Sequence, residues 1–248
     1  MFFNPGESLK KLKPDTKITG AIWSIVLLVI VSGVIMLPII TSHDYYDALY
    51  RIVIRQQADS GKDLGEKEKI QIKDYLHSGI NKTIQIFSHF AGKLVSVFLY
   101  YLLFYSLILW GLSSLFKINI GFSYSFKIMV CLYIIFCLEL ILISIMVVVS
   151  DWKPLLANAK NMKDFTSVLM AYTSLAVIWD MSEIGVVPFY LLNYLTNIFI
   201  YIYFGYFYLV LTGSVNIEKK LAIKMTIIFA LIIGLLNIIS GVPLMFMK

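Results

Sequence analysis

Several stretches of this chain run for twenty or more residues without a charged side chain, and that constrains its fold more than any other feature. A helix rises about 1.5 Å per residue, so each run is long enough to cross a hydrocarbon core of roughly 30 Å. Core helices of soluble domains rarely reach that length. With 59% apolar and 15% charged residues and a mean hydropathy of +0.82, the composition also belongs in lipid.

The runs predict an all-α integral membrane protein of about five transmembrane helices: Ile18 to Ile40, Lys93 to Phe116, Ile128 to Ser150, Pro188 to Thr212 and Met225 to Met245. The stretch Phe165 to Trp179 has only 15 uncharged residues before Asp180 and Glu183. It is short for a crossing, and an interfacial or re-entrant helix over Phe165 to Glu183 suits it better. Counting it as a crossing would put Lys219, Lys220 and Lys224 outside, against the positive-inside rule. With five spans the N-terminus, the Lys117 to Lys127 loop and that lysine cluster face the cytoplasm, and the C-terminus ends outside.

Residues 1 to 17 read as a cytoplasmic amphipathic segment. Asn4 can cap a short helix, Pro5 suits its first position, Glu7 its first turn and Lys10, Lys11 and Lys13 its end, before Pro14 stops it. An in-plane lipid anchor and a solvated basic tail are both compatible with this pattern. A signal peptide fits less well, because Ile18 to Ile40 is too long for an h-region, and the span reads as a retained anchor. Thr41 to Gly92 carries seven basic and seven acidic side chains. There Tyr46, Tyr50 and Val53 recur at helical spacing before the turn Asp59-Ser60-Gly61-Lys62, and Ile72, Leu76 and Ile80 after it. Two amphipathic helices forming an outer hairpin are expected.

The net charge of +6 does not point to nucleic acid, since the lysines stand in short clusters beside apolar runs. Cys131 and Cys137 both fall inside one apolar run and read as small core fillers. No phosphate-binding glycine loop, His-Glu-x-x-His or Gly-x-Ser-x-Gly motif is present. An intramembrane enzyme would need a nucleophile with a base, paired aspartates at membrane depth or a metal cluster, and none is visible. His43 and Asp47 have i, i+4 spacing, but two ligands do not make a metal site, and neither a cofactor nor a metal is expected. The sequon Asn81-Lys82-Thr83 is nonspecific, and Lys93 reads as a snorkelling residue at the outer end of the second span. Asp180 and Glu183 read as a solvated helix end.

Glu139 is the most informative residue within a span. It lies near mid-bilayer, where an unpaired carboxylate costs at least about 2.5 to 3.5 kcal/mol, so it must face protein or be protonated. On the fourth span Tyr190, Tyr194, Asn197, Tyr201, Tyr208 and Thr212 recur on one helix face. Asn197, Tyr201 and Tyr105 match the depth of Glu139, which predicts an intramembrane polar cluster of Glu139, Tyr105, Asn197 and Tyr201. That cluster reads either as polar glue between helices or as a proton-linked or partner-binding site. Gly20-x-x-x-Ser24 and Ala230-x-x-x-Gly234 are small-residue pairs that permit close helix approach, within the chain or with another protein.

In order and pattern the chain resembles the bacterial branch of the YIP family, the Ypt/Rab-interacting membrane proteins. The likeness rests on Asn4-Pro5-Gly6-Glu7-Ser8-Leu9-Lys10-Lys11-Leu12-Lys13 before the first span and on Arg55-Gln56-Gln57 in the hairpin. It continues in Gly121-Phe122-Ser123-Tyr124-Ser125-Phe126-Lys127, Leu195-Thr196-Asn197-Ile198-Phe199 and the Gly205 region before Lys219-Lys220-Leu221-Ala222. The family's usual acidic residue and tryptophan at the start of the fourth span stand here as Asn197 and Tyr201. The resemblance implies a non-enzymatic membrane protein acting through partners. Its eukaryotic relatives are tied to Rab GTPases and vesicle traffic, and some bacterial relatives accompany ATP-driven exporters of peptides or toxins.

The expected protein is therefore a multi-pass protein of a bacterial plasma membrane, with the lipid bilayer and other integral membrane proteins, such as an ABC transporter permease, as partners. The competing reading is a transporter or channel subunit whose polar path is lined by Glu139 and the fourth span. Cysteines placed singly beside Lys219 and at the C-terminus of a Cys131→Ala, Cys137→Ala chain should label from opposite faces of the membrane with an impermeant maleimide. Labelling from one face would overturn the five-span threading.

Overall fold

Chain segments with this much apolar sequence form helices wherever they are described. The computed structural model describes residues 12–62, 64–150, 152–153 and 184–246, with Val186 and 240–246 by backbone alone. The expected helix over Phe165 to Glu183 and residues 1–11 of the amphipathic segment lie outside the described residues.

Among the described residues the elements are α1 (Thr19–Ile40), α2 (His43–Asp59), α3 (Glu66–His77) and α4 (Gly79–Val95), then a π-helical stretch (Ser96–Phe104) leading into α5 (Tyr105–Leu115). α6 (Phe122–Val149), α7 (Val186–Thr196), α8 (Ile198–Gly213) and α9 (Lys219–Phe246) follow. Thr19–Ile40, Gly79–Leu115, Phe122–Val149 and Lys219–Ile239 are each long and apolar enough to cross a membrane. α7 and α8 make a fifth crossing if the two are one span, and they are bent by 56° at their junction.

Beyond the earlier helix starts at Phe122, where Ile128 was expected, and at Lys219, where Met225 was expected, the structure departs from the expected elements in three places. The second apolar helix does not begin at Lys93: helix runs unbroken for 37 residues from Gly79 to Leu115, more than the roughly 30 Å of hydrocarbon requires. No proline interrupts it, and Lys93 lies half-buried inside it instead of at an outer end. Second, Ile80 does not continue the helix of Ile72 and Leu76. Ser78 is extended (ψ 148°) and its hydroxyl accepts the Asn81 N–H at 3.2 Å, while the Asn81 amide donates to the Leu76 carbonyl at 2.9 Å. Side chain and backbone together end one helix and start the next, leaving Ile80 75% exposed.

Third, the fourth span is interrupted. Asn197 takes an extended conformation (φ −76°, ψ 115°), so the tyrosine face expected from Tyr190 to Thr212 is not one continuous face. Asn competes locally for backbone partners and is a weak helix former. Beside it the Thr196 hydroxyl donates back to the Leu192 carbonyl at 2.7 Å.

The chain divides into two compact units. The first comprises residues 1–29, 92–140 and 198–236. Leu102, Leu109, Ile128, Leu132, Tyr203 and Phe229 are buried in it. The segment before α1 is tied to the start of α6, where the Tyr124 hydroxyl donates to the Leu12 carbonyl at 2.7 Å and the Lys127 ammonium donates to the Pro14 carbonyl.

The second unit comprises residues 30–91, 141–197 and 237–248. In it Met36, Ile39, Ile40, Ala48, Ile52 and Val147 form a core, and the Ser32 and Ser144 hydroxyls share a buried hydrogen bond of 2.9 Å. α2 starts at Ser42, whose hydroxyl accepts the Tyr45 N–H at 3.1 Å. It ends before Gly61, which takes the left-handed φ of 79° that glycine tolerates best. α3 is capped by Glu68, which accepts the Gly65 N–H at 2.9 Å.

Among the described glycines of this unit the closest approach is at Gly33, where an added Cβ would stand 2.3 Å from Cε1 of Phe90. Gly33→Leu should therefore destabilise the protein by about 1–3 kcal/mol through overpacking. Combining it with Phe90→Ala should recover most of that loss, as read by thermal unfolding in detergent.

Candidate functional site

Two groups of polar side chains stand out, one in each unit. The first surrounds Glu139, which is 8% exposed on α6. Tyr133 of the same helix lies within electrostatic reach of Tyr101, Tyr105, Cys137 and Glu139. The π-helical stretch carries Tyr101, whose ring centroid is 5.4 Å from Tyr133 and 5.5 Å from Tyr105, the first residue of α5. Aromatic contacts continue from Tyr133 through Phe136 to Tyr203, whose ring is 4.6 Å from Phe136. The Tyr203 hydroxyl donates to the Met129 sulfur at 3.2 Å. Phe229 of α9 stacks on Phe207 at 4.7 Å and meets the Tyr105 ring edge-on at 6.2 Å.

Of the four residues expected to cluster, Tyr105 and Glu139 are brought together around Tyr133. Tyr201 is 61% exposed, and Asn197, although buried, belongs to the other unit. Tyr133 and Tyr101 were not anticipated. The i, i+4 spacing of Tyr101 and Tyr105 could have indicated the latter, whereas Tyr133 needed the packing of α6. Chemically, the arrangement sets a buried carboxyl near a tyrosine, whose hydroxyl is a group able to donate to it.

Among the small residues, Gly20 is exposed, and among the described residues nothing lies within 4 Å of a Cβ built there. The Ser24 hydroxyl donates to the Gly20 carbonyl of its own helix at 2.9 Å. Ala230 is half-buried and Gly234 buried. Cys131 and Cys137 are buried and free. Asp180 and Glu183 lie outside the described residues.

The second group lies where α2 and α3 run side by side. His43 and Asp47, one turn apart on α2, are joined by His77 from the last turn of α3, and their ligand atoms all lie within 4.8 Å of one another. Asp47 offers one carboxylate oxygen to each imidazole, at 3.3 Å from His43 Nε2 and 3.1 Å from His77 Nε2. The expectation of two isolated ligands did not include this third one, which is 30 residues away along the chain. Nearby, Asp44 pairs with Lys153 at 3.6 Å. Tyr46 packs its ring 5.9 Å from that of His77, and burial pushes the Tyr45 and Tyr46 phenols up, so both stay neutral at physiological pH.

No family model, curated protein or solved structure matches the chain.

If the buried carboxyl acts as internal glue, Glu139→Gln keeps its shape and hydrogen-bonding capacity and should change stability by no more than about 1 kcal/mol. Phe229→Ala should cost on the order of 2 kcal/mol, at the low end for a buried aromatic, because in lipid the cavity term remains while the transfer term largely vanishes. Thermal unfolding in a fixed detergent checks both, and a collapsed Glu139→Gln would show that the charge itself holds the helices.

Proposed function

We propose that this chain is a non-enzymatic polytopic membrane protein that works through protein partners, as an accessory or assembly subunit of a membrane complex such as an ABC-type peptide or toxin exporter. The observation that carries this reading is the exposed Gly20 of the Gly20-x-x-x-Ser24 pair on α1. The four single-helix candidate spans bury 28–39% of their most apolar windows inside the chain. Trp23, Leu27 and Val34 of α1 are more than half exposed, beside the open Gly20 face. A small residue with no neighbour among the described residues invites close approach by another helix. The described residues of the Glu139 cluster, by contrast, are mostly turned inward, as expected of a scaffold. The YIP-like segments quoted above support the same reading.

The orientation proposed with it places the N-terminus in the cytoplasm and the α2–α3 hairpin and C-terminus outside. Its support is electrostatic. The first unit contains ten basic and four acidic residues and the second eleven of each, so the whole +6 excess resides in the first. A second reading, a transporter or channel subunit with a polar path past Glu139, draws support from the interruption at Asn197. Broken spans in transporters line polar sites because the freed backbone groups need partners there.

Gentle solubilisation of native membranes should recover the chain with an integral membrane partner at fixed stoichiometry, visible as one co-migrating band on native gels. A partner-free protein that alone passes protons or a small solute across liposomes would overturn the accessory reading in favour of the second.

A further inference from the structure

Two imidazoles and a carboxylate converging from two helices are more than a salt bridge requires, and the set does not serve the function proposed above. We propose that His43, Asp47 and His77 bind a divalent transition metal of the zinc class, with one or more outward positions left for water or a donor from a partner. The donor set is right for such an ion: two imidazole nitrogens and one carboxylate are the ligand types that zinc, cobalt and nickel take, and magnesium and calcium do not favour.

The spacing is right as well. Ligand atoms held at about 2.0–2.1 Å around a tetrahedral centre stand about 3.3 Å apart; the nitrogen–oxygen separations, one to each carboxylate oxygen, are 3.3 and 3.1 Å, and the three ligand atoms lie within 4.8 Å of one another. The site is open on one side, since the side chain of His43 is 72% exposed while that of His77 is 17% exposed. Two flanking groups have partners of their own: Asp44 is drawn to Lys153, and the Tyr46 ring lies under the Lys82 ammonium at 5.3 Å.

Occupancy would join the first turn of α2 to the last turn of α3. The metal would thus hold the α2–α3 pair closed at the end opposite the Gly61 turn. This depends on the local fold of one unit alone, and so stands or falls separately from the accessory-subunit reading.

The test uses the full chain in nanodiscs, purified without a histidine tag and stripped with chelator, and titrated with Zn²⁺ by calorimetry. One equivalent should bind, and Co²⁺ in its place should give visible ligand-field bands. His43→Ala, at an exposed position, should weaken Zn²⁺ binding at least about tenfold. Asp47→Asn should do the same, and His89→Ala, which removes the histidine outside the set, should change nothing. X-ray absorption of the zinc-loaded wild type, which needs no variant to fold, should show two imidazoles in the first coordination shell. Absence of stoichiometric Zn²⁺ binding by the wild type would overturn the proposal. So would equal binding by wild type and His43→Ala, or a zinc spectrum without imidazole.

Discussion

Where the surroundings are hydrocarbon, each peptide N–H and C=O must find its partner within the protein, and the rest of this structure follows from that requirement. It makes helix the default in every apolar stretch described, and it makes each departure from regular helix informative. Two departures fall within the apolar helices. The π-helical stretch Ser96–Phe104 keeps backbone pairing but shifts its phase, and it sits where Tyr101 must meet both Tyr105 and Tyr133. The break at Asn197 gives up helical conformation for one residue, and there the side chain that breaks the helix is itself polar and buried.

Packing in such a protein cannot rely on expelling water between helices, so shape and hydrogen bonds have to suffice. The first unit solves this with aromatic rings: Tyr105, Phe204 and Phe207 all meet Phe229. The second uses a serine pair, Ser32 with Ser144, and a glycine on which a phenylalanine ring lies, Gly33 under Phe90. Overall hydrophobicity does not distinguish these contacts from lipid-facing surface, because apolar residues occupy both.

That equivalence explains what could be read from the sequence. The apolar helices were legible because length and charge exclusion specify them locally: α1 at Thr19–Ile40 differs from the expected Ile18 to Ile40 by one residue. The continuation of helix from Gly79 through Lys93 was not legible, because one lysine looks like a boundary when only charge is counted. Nor was the break at Asn197, where a periodic row of tyrosines suggested one helix and a single weak helix former decided otherwise. For the candidate sites, the buried position of Glu139 followed from its place in an apolar run, and Tyr105 is buried as well. The exposure of Tyr201 and the arrival of Tyr133 depended on helix rotation, which apolar sequence on all sides of a helix leaves undetermined. His77 could reach Asp47 only once the Gly61 turn had folded α3 back along α2.

The two polar groups obey opposite physical logic, and exposure is what separates them. Glu139 is 8% exposed and has Tyr133 of its own helix within electrostatic reach. A charge there is costly unless polar groups of the chain hold it, so the same contacts that make it tolerable also make it a fixed part of the packing. The His43–Asp47–His77 set lies in a segment with equal numbers of acids and bases, and its outermost imidazole stands largely in the open. His43 and Asp47 keep contact with water, and His77, at 17% side-chain exposure, is the covered member. What brings them within bonding distance is the turn and the caps that position α2 and α3. A constellation assembled by the fold without being required by burial is the one free to exchange ligands with its surroundings.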